Sequence, residues 1–336
     1  MKNACIVGLG AIGPVHAHAV QKTEYANICA VCDTDKARAD KYGKLYKAKI
    51  YYSFEDVLAD DDINSVHICT PHYLHKDMAV KALNAGKHIV LEKPAVMKPD
   101  ELEELEKAYS ASGKKSCIML QNRTNTCIQE LKHIIDTDKT LGKLMGICAF
   151  LTWNRTADYY ASAEWRGSWA HEGGGVLINQ AVHLIDLVDY LGNISEIKSD
   201  LTNKATPSIE VEDTAEALFK LKNGSKAIFF AANTFSVDAP FRLEMFFENA
   251  AFRYADNKLY KICDDVEIIS SDVQIIDGKK CWGGGHRKVI DDFYKNLETG
   301  SGEYIDLSNG FHSAKVMLSM YKKGLNLGKD WLSVNL

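Results

Sequence analysis

Several features are scarce in this chain of 336 residues. It has six prolines and no low-complexity run, which excludes a proline-rich spacer, so its domains are expected to abut. No apolar run approaches the roughly 18 residues that span a bilayer. No basic tract offsets the formal net charge of −5, so nucleic acid is not an expected partner. The start, MKNACIVGLGAIG, lacks the charged head, long apolar run and small-residue cleavage site of a secretory leader. It reads as the first strand of a cytoplasmic domain. Nine cysteines, an odd number, lie scattered, which suits a reducing compartment and free thiols. Cys29 and Cys32 spell C-x-x-C, but they fall in a strand-like run whose alternation sends them to opposite faces. No Cys/His pair accompanies them, so no metal site is expected.

What is present is a rhythm. A short apolar run, 4–7, leads into Gly8-Leu9-Gly10-Ala11-Ile12-Gly13 and then a helix-like stretch, 14–22. Strands 26–32, 64–69, 87–92 and 115–121 alternate with helices 35–43, 54–60, 73–85 and 98–112, the pattern of a parallel sheet covered by helices on both faces. G-x-G-x-x-G alone is weak evidence. Here a strand precedes it, a helix follows it, and Asp33 lies 20 residues beyond the last glycine. The first glycine permits the tight turn, the second lets the backbone approach a pyrophosphate, and the third lets helix and strand pack closely. Asp33 is expected to bind the adenine-ribose hydroxyls and repel a 2′-phosphate, favouring NAD over NADP, with Lys36 and Arg38 weakening that preference.

Ligands of open parallel sheets lie beyond the carboxyl ends of the strands. Thr70, His72 and His75, in CTPHYLH, belong to that edge, and so does HIVLEKP, where an apolar strand ends in Glu92, Lys93 and Pro94. Glu92 and Lys93 therefore fall where a nicotinamide is expected, and the Lys93–Pro94 bond is expected to be cis, holding the ammonium on target.

After residue 122 strand-like runs dominate (144–153, 195–202, 211–221, 225–234, 242–248, 251–255, 258–262 and 265–270), which reads as a mainly antiparallel sheet. The exception is EGGGVLINQAVHLIDLVDYLGN, read as one buried helix over 176–191 with Asn179, His183 and Asp186 at i, i+4 and i+7. Two readings stand: a structural hydrogen-bond network, or an active-site wall with His183 as proton carrier. Upstream, WNRTADYYASAEWRGSW gathers Tyr160, Trp165 and Arg166 among other aromatics and Arg155, either a ring-stacking carbohydrate wall or a packed loop. His286, after a glycine run at the start of an amphipathic helix, either reaches a cleft or caps that helix.

GLGAIG, VCDTD, CTPHYLH, LEKP, QNR (121–123), GGGVLINQAVHLID and GHRKVIDDFY, in this order along most of the chain, make it resemble the Gfo/Idh/MocA group of glucose–fructose oxidoreductases and inositol dehydrogenases. The resemblance implies a Rossmann domain over 1–122 and, over 123–336, an α/β domain for substrate binding and oligomerisation through a large open sheet. It implies a nicotinamide-dependent dehydrogenase acting on a ring hydroxyl of a sugar, glycoside or cyclitol, as a homodimer or homotetramer. Lys93 then contacts substrate and cofactor, His183 is the acid/base, expected to be oriented by Asp186, and Gln121 joins the cofactor side. Arg123, Asn179, Tyr160, Trp165, Arg166 and His286 are the substrate-side candidates. Many relatives carry aspartate where this chain has Asn179, a group that binds hydroxyls but takes no proton. Rival expectations are a glycoside hydrolase or lyase that oxidises its ring transiently, and a non-catalytic sugar or dinucleotide sensor.

Overall fold

The structure is a computed structural model that describes residues 1–203, 206, 208–262, 265–272, 285–324 and 332–333. These fall into two compact units, one built from residues 1–121 and 285–311, the other from 122–272 and 312–333.

In the first unit six parallel strands, β1 (Lys2–Val7), β2 (Ala26–Cys32), β3 (Lys49–Tyr51), β4 (Ser65–Ile68), β5 (His88–Leu91) and β6 (Ser116–Ile118), lie in the order 3-2-1-4-5-6. This is the doubly wound order, whose topological switch lies between β1 and β4. Strands β4, β5 and β6 and the second half of β1 are buried on both faces, which is why they read as near-continuous apolar runs. Between them run α1 (Gly13–Lys22), α2 (Lys36–Tyr46), α3 (Phe54–Ala59), α4 (His75–Asn84) and α5 (Pro99–Ser112). Local chemistry sets their ends. Asp35 caps α2 by accepting from Arg38 N, while Pro99 opens α5 and Gly113, at φ 62°, closes it.

The second unit holds α6 (Thr126–Thr137), β7 (Leu144–Thr152), α7 (Ala157–Ala161), α8 (Val176–Asn179), α9 (Val182–Gly192), β8 (Ile194–Thr202), β9 (Thr214–Leu221), β10 (Lys226–Ala232), β11 (Arg242–Phe247), β12 (Ala251–Ala255), β13 (Lys258–Ile262) and β14 (Val266–Ser271). The last helices are α10 (Gly285–Thr299), in the first unit, and α11 (Phe311–Gly324), followed by β15 (Leu332–Ser333). The sheet runs 14-13-12-11-7-10-9-8-15 and is antiparallel throughout except for the β7–β10 pair. Its strands alternate, with Ile147, Ala149 and Leu151 of β7 buried. On the other face Ile228 and Phe246 are exposed.

Two expectations change. The sequence reading put all residues after 122 in one domain, yet α10 belongs with the first unit. Its stripe of Val289, Ile290, Phe293 and Tyr294 joins Ala17 and Val20 of α1 and Ile6 of β1 in one buried cluster, because small residues on α1 let the helices approach closely. The helix read over 176–191 is two helices. Ala181 N donates to Val176 O, five residues back, at 2.8 Å, a wide turn of the kind found at π-bulges. One residue of slip turns the stripe, so Asn179 sits on α8 while His183 and Asp186 sit on α9. Among the described residues no helix is long and apolar enough to cross a membrane.

Candidate active site

In the first unit the glycine turn is dictated by contact. Gly8 has φ +87°, and a Cβ there would lie 2.7 Å from Cys69 O. Only glycine lets the ends of β1 and β4 meet backbone to backbone. A Cβ on Gly13 would lie 2.2 Å from Gly8 O, whereas one on Gly10 would meet nothing within 4 Å. Gly10 and Ala11 are exposed and Ile12 half-buried, directly before the amino end of α1. The packing glycines are thus filled by protein, and the middle one is left open directly before the amino end of α1, whose partial positive charge is the fit a pyrophosphate requires. Asp33, at the carboxyl end of β2, accepts from Leu9 N at 2.8 Å and Asp35 N at 2.9 Å. Arg38 Nη1 lies 3.2 Å from its Oδ2. The carboxylate braces the glycine turn while staying at the sheet edge. These residues fit a dinucleotide.

Thr70, His72 and His75 follow β4. Thr70 Oγ1 donates to Met78 Sδ; His72 is buried at the head of a 3₁₀ turn. Buried His75 places Nδ1 at 2.7 Å from Pro94 O and Nε2 at 2.8 Å from Thr70 O, tying the β4 loop to the turn after β5. There the Lys93–Pro94 peptide is cis, as expected. Lys93 is partly exposed while Glu92 and Pro94 on either side are buried. Gln121 is buried just beyond β6. Glu92 turns inward: Oε2 accepts from Lys93 N, and Oε1 lies 2.8 Å from His16 Nε2 and 3.4 Å from His286 Nε2. His286, a substrate candidate from sequence, is therefore packed in the core of the first unit, 3% exposed, because the apolar stripe of α10 carries it there. Donor atoms of His16, Glu92 and His286 all lie within 4.8 Å of one another. Burial opposes charge on Glu92, but the hydrogen bonds from His16 and His286 outweigh it and hold the carboxyl well below the usual range. The C-x-x-C thiols are pushed up by burial, Cys29 to about 11 and Cys32 to about 12, the opposite of a reactive pair.

In the second unit the triple glycine is explained by Glu212. Its buried carboxylate accepts from Gly175 N (2.9 Å), Leu177 N (3.0 Å) and Tyr321 Oη (2.9 Å). A Cβ on Gly175 would stand 1.8 Å from Glu212 O. This anchor fixes α8 and with it Asn179, whose Nδ2 donates to Glu172 Oε1 at 2.5 Å and Tyr159 Oη at 3.3 Å. A buried carboxylate thus lies one hydrogen bond behind the asparagine. On α9, His183 is half-buried between buried Val182 and Leu184. Asp186, named as its orienting partner, is gripped by both arms of Arg123, Nε–Oδ2 2.8 Å and Nη2–Oδ1 2.6 Å. The Arg123 guanidinium also lies 4.7 Å from the Tyr190 ring centre. Arg123 is thereby a bidentate brace of α9.

The aromatic segment packs through its arginines. Arg166 lies over Tyr159 (4.3 Å) and Trp165 (4.6 Å), and Arg155 over Trp153 (4.6 Å) and Tyr159 (5.0 Å). Tyr160 is 7% exposed, its hydroxyl accepting from Asn233 Nδ2 at 3.3 Å. Glu172, His16, His67 and Tyr294 escaped the sequence reading. For the histidines the signal was a polar residue inside an apolar run, as in SVHIC, which does not distinguish a site from a satisfied core group.

Comparison with known proteins agrees with both halves. Residues 2–121 match the model of the oxidoreductase family with an NAD-binding Rossmann fold, and residues 128–253 match the GFO/IDH/MocA C-terminal domain. Glucose-6-phosphate 3-dehydrogenase of Bacillus subtilis is 22% identical over 97% of each chain. Inositol 2-dehydrogenase of Salmonella typhimurium is 34% identical over 42% of this chain and 44% of its own. Among solved structures, the WlbA dehydrogenase of Chromobacterium violaceum, in complex with NADH and UDP-GlcNAcA, superposes with a TM-score of 0.88 at 27% identity, covering 100% of this chain and 96% of that one. With the glycine turn, the strand order and both domain matches in agreement, the chain belongs to the GFO/IDH/MocA family of NAD-binding oxidoreductases.

Proposed function

We propose that this enzyme is an NAD-dependent dehydrogenase that oxidises a ring hydroxyl of a sugar, glycoside or cyclitol, running in either direction. The observation that carries this reading is a matched pair of exceptions. Lys93 and His183 are ionisable side chains kept partly accessible in segments whose immediate neighbours are buried, and such exceptions mark sites of chemistry. When bound, NAD supplies the hydride acceptor. Gly8, Gly10 and Gly13 give it a backbone cradle, Asp33 its ribose contact, and the β4 and β5 edges, with Thr70 and Lys93, the face for its nicotinamide, Glu92 bracing that turn from within. His183 takes the hydroxyl proton, and the Lys93 ammonium steadies the oxygen as negative charge develops. Asn179, with its amide nitrogen held by Glu172, offers its carbonyl oxygen to a substrate hydroxyl. Trp165 and Arg166 line the ring, and Tyr160 packs edge-on against Tyr159, over which Arg166 lies. Arg123 and Asp186 position α9 rather than touch substrate.

The relatives' names give the class: glucose 6-phosphate, inositol and levoglucosan are ring polyols. The exposed Ile228 and Phe246 on the large sheet support a homo-oligomer built through that face, and the free thiols among the described residues support a reducing compartment. The test is a panel of monosaccharides, sugar phosphates, glycosides, inositols and uronates with NAD. Net NADH formation with one of them is expected. Glycoside cleavage without net NADH assigns a hydrolase or lyase instead, and tight binding without turnover assigns a sensor.

A further inference from the structure

Behind Glu92 lies a continuous buried chain of polar groups that the proposed chemistry leaves unused. His16 Nδ1 is 2.9 Å from His67 Nδ1, His67 Nε2 is 2.7 Å from Tyr294 Oη, and Tyr294 Oη is 2.7 Å from Ser65 Oγ. Ser65, His16, His67 and Tyr294 are fully buried, and Glu92 and His286 nearly so. The chain runs along β4 from its first residue towards the carboxyl edge, between the sheet and helices α1 and α10.

One charge fixes every proton in it. An ionised Glu92 only accepts, so His16 donates from Nε2, and its neutral ring accepts at Nδ1. His67 must then donate from Nδ1 and accept at Nε2, Tyr294 must donate to His67, and Ser65 must donate to Tyr294. Each hydrogen bond has one donor and one acceptor, and the assembly carries a single negative charge. One added proton has well-formed places to go. It makes a His16 imidazolium beside Glu92, or it protonates Glu92 and reverses each bond back to Ser65, whose hydroxyl then points to Asn3 O, 3.5 Å away. Such a cluster titrates as a unit, with a proton shared among its members.

Glu92 sits at the carboxyl end of β5, where the preceding section places the nicotinamide, and the inference rests on that reading. Oxidised nicotinamide is a cation and reduced nicotinamide is neutral. A positive charge at this edge disfavours a proton on the cluster, and losing that charge favours one. We propose that the Glu92–imidazole cluster takes up a proton when the nicotinamide at the β5 edge is reduced, so that the protein binds NAD and NADH with different numbers of protons. The balance is simple. The substrate carbon gives its hydride to the cofactor and its hydroxyl releases a proton. The cluster holds one proton while NADH stays bound and returns it when NADH leaves. The other groups facing Glu92 are Lys93 on its own turn, His75 of α4, Cys69 after β4 and Cys117 of β6. The histidines His16, His67 and His286 come from α1, β4 and α10. Burial holds the His16, His67 and His75 rings below the ordinary imidazole value, so the uptake grows as pH falls.

Isothermal titration of the full-length protein with NAD and, separately, NADH, in buffers of different ionisation enthalpy between about pH 6 and 8, counts the protons directly. NADH is expected to bring in up to one proton more than NAD. The NADH-to-NAD affinity ratio then rises by up to tenfold for each unit fall in pH. In Glu92→Gln the difference disappears, and His16→Gln gives the same loss should Glu92→Gln fail to fold. Equal proton counts for the two cofactors in the wild-type protein overturn the inference while leaving the dehydrogenase reading intact. Failure of both cofactors to bind overturns that reading, and the inference with it.

Discussion

Gly10 and Gly13 look equivalent in the sequence, yet they separate folding from cofactor binding. In Gly13→Ala the new Cβ lies 2.2 Å from Gly8 O, about 1.2 Å inside the 3.4 Å at which ordinary contact begins. The neighbour is backbone and cannot rotate away, so strand and helix must part, which costs about 2 kcal/mol on the scale of overpacked cores. For a chain of 336 residues that lowers Tm by about 3 °C. Gly10→Ala meets no protein atom within 4 Å and needs no positive φ. Its stability should stay within about 0.5 kcal/mol of wild type. Its penalty appears only with ligand, because the added methyl fills the space into which a pyrophosphate comes. A tenfold loss of affinity is about 1.4 kcal/mol. At NAD concentrations of about 100 times the wild-type Kd, ligand stabilisation of about 2.7 kcal/mol falls to about half in Gly10→Ala. Thermal melting with and without NAD reads both effects. A Gly10→Ala protein with a full NAD-induced rise in Tm refutes the placement of the pyrophosphate. A Gly13→Ala protein that melts like wild type refutes the contact argument.

Four further outcomes are expected. His183→Ala lowers kcat by about 10² or more while NAD still binds; near-normal turnover in steady-state assays removes His183 from its role. Asp33→Ala weakens NAD more than NADP, because the 2′-phosphate escapes a repulsion; equal losses of affinity by titration contradict the specificity reading. Arg123→Met leaves the Asp186 carboxylate, 1% exposed, without its forked partner and destabilises the protein by about 3–5 kcal/mol in denaturant titrations, with much of that recovered in the double variant Arg123→Met/Asp186→Leu. Burial holds the His67 and His16 rings below their ordinary value, His67 well below. The unfolded chain therefore binds more protons below about pH 6.5, and stability falls as pH drops, by up to about 1.4 kcal/mol per pH unit for each such histidine. Urea midpoints that do not fall from pH 7 to pH 5.5 contradict the neutral, buried assignment.

The Rossmann half was legible because its signals are local. The glycine turn, the acid after β2 and the Glu-Lys-Pro turn each follow an apolar strand within a few residues. β3 went unread because three residues at a sheet edge leave no periodicity. α6 went unread although Cys127, Ile128 and Leu131 repeat at helical spacing, since strand-like runs dominate around it. The break between α8 and α9 is a one-residue slip in hydrogen bonding that no side chain announces. The placement of His286 needed tertiary information, as only packing shows which sheet an amphipathic helix covers. Glu172 behind Asn179 was hidden for a related reason, as three glycines and the first turn of α8 stand between the pair in sequence. Arg123 and Asp186 stood 63 residues apart as two separate candidates, and the fold makes them one brace.

The decisive measurement follows a single atom. A sugar or cyclitol from the active panel, deuterated at the carbon that is oxidised, is incubated with the enzyme and NAD, and the nicotinamide is recovered for mass and NMR analysis. Deuterium at C4 of the reduced ring, formed about 10² or more times slower with His183→Ala, is the expected result. Deuterium retained in the organic product, or lost to water, contradicts hydride transfer from a ring carbon to NAD.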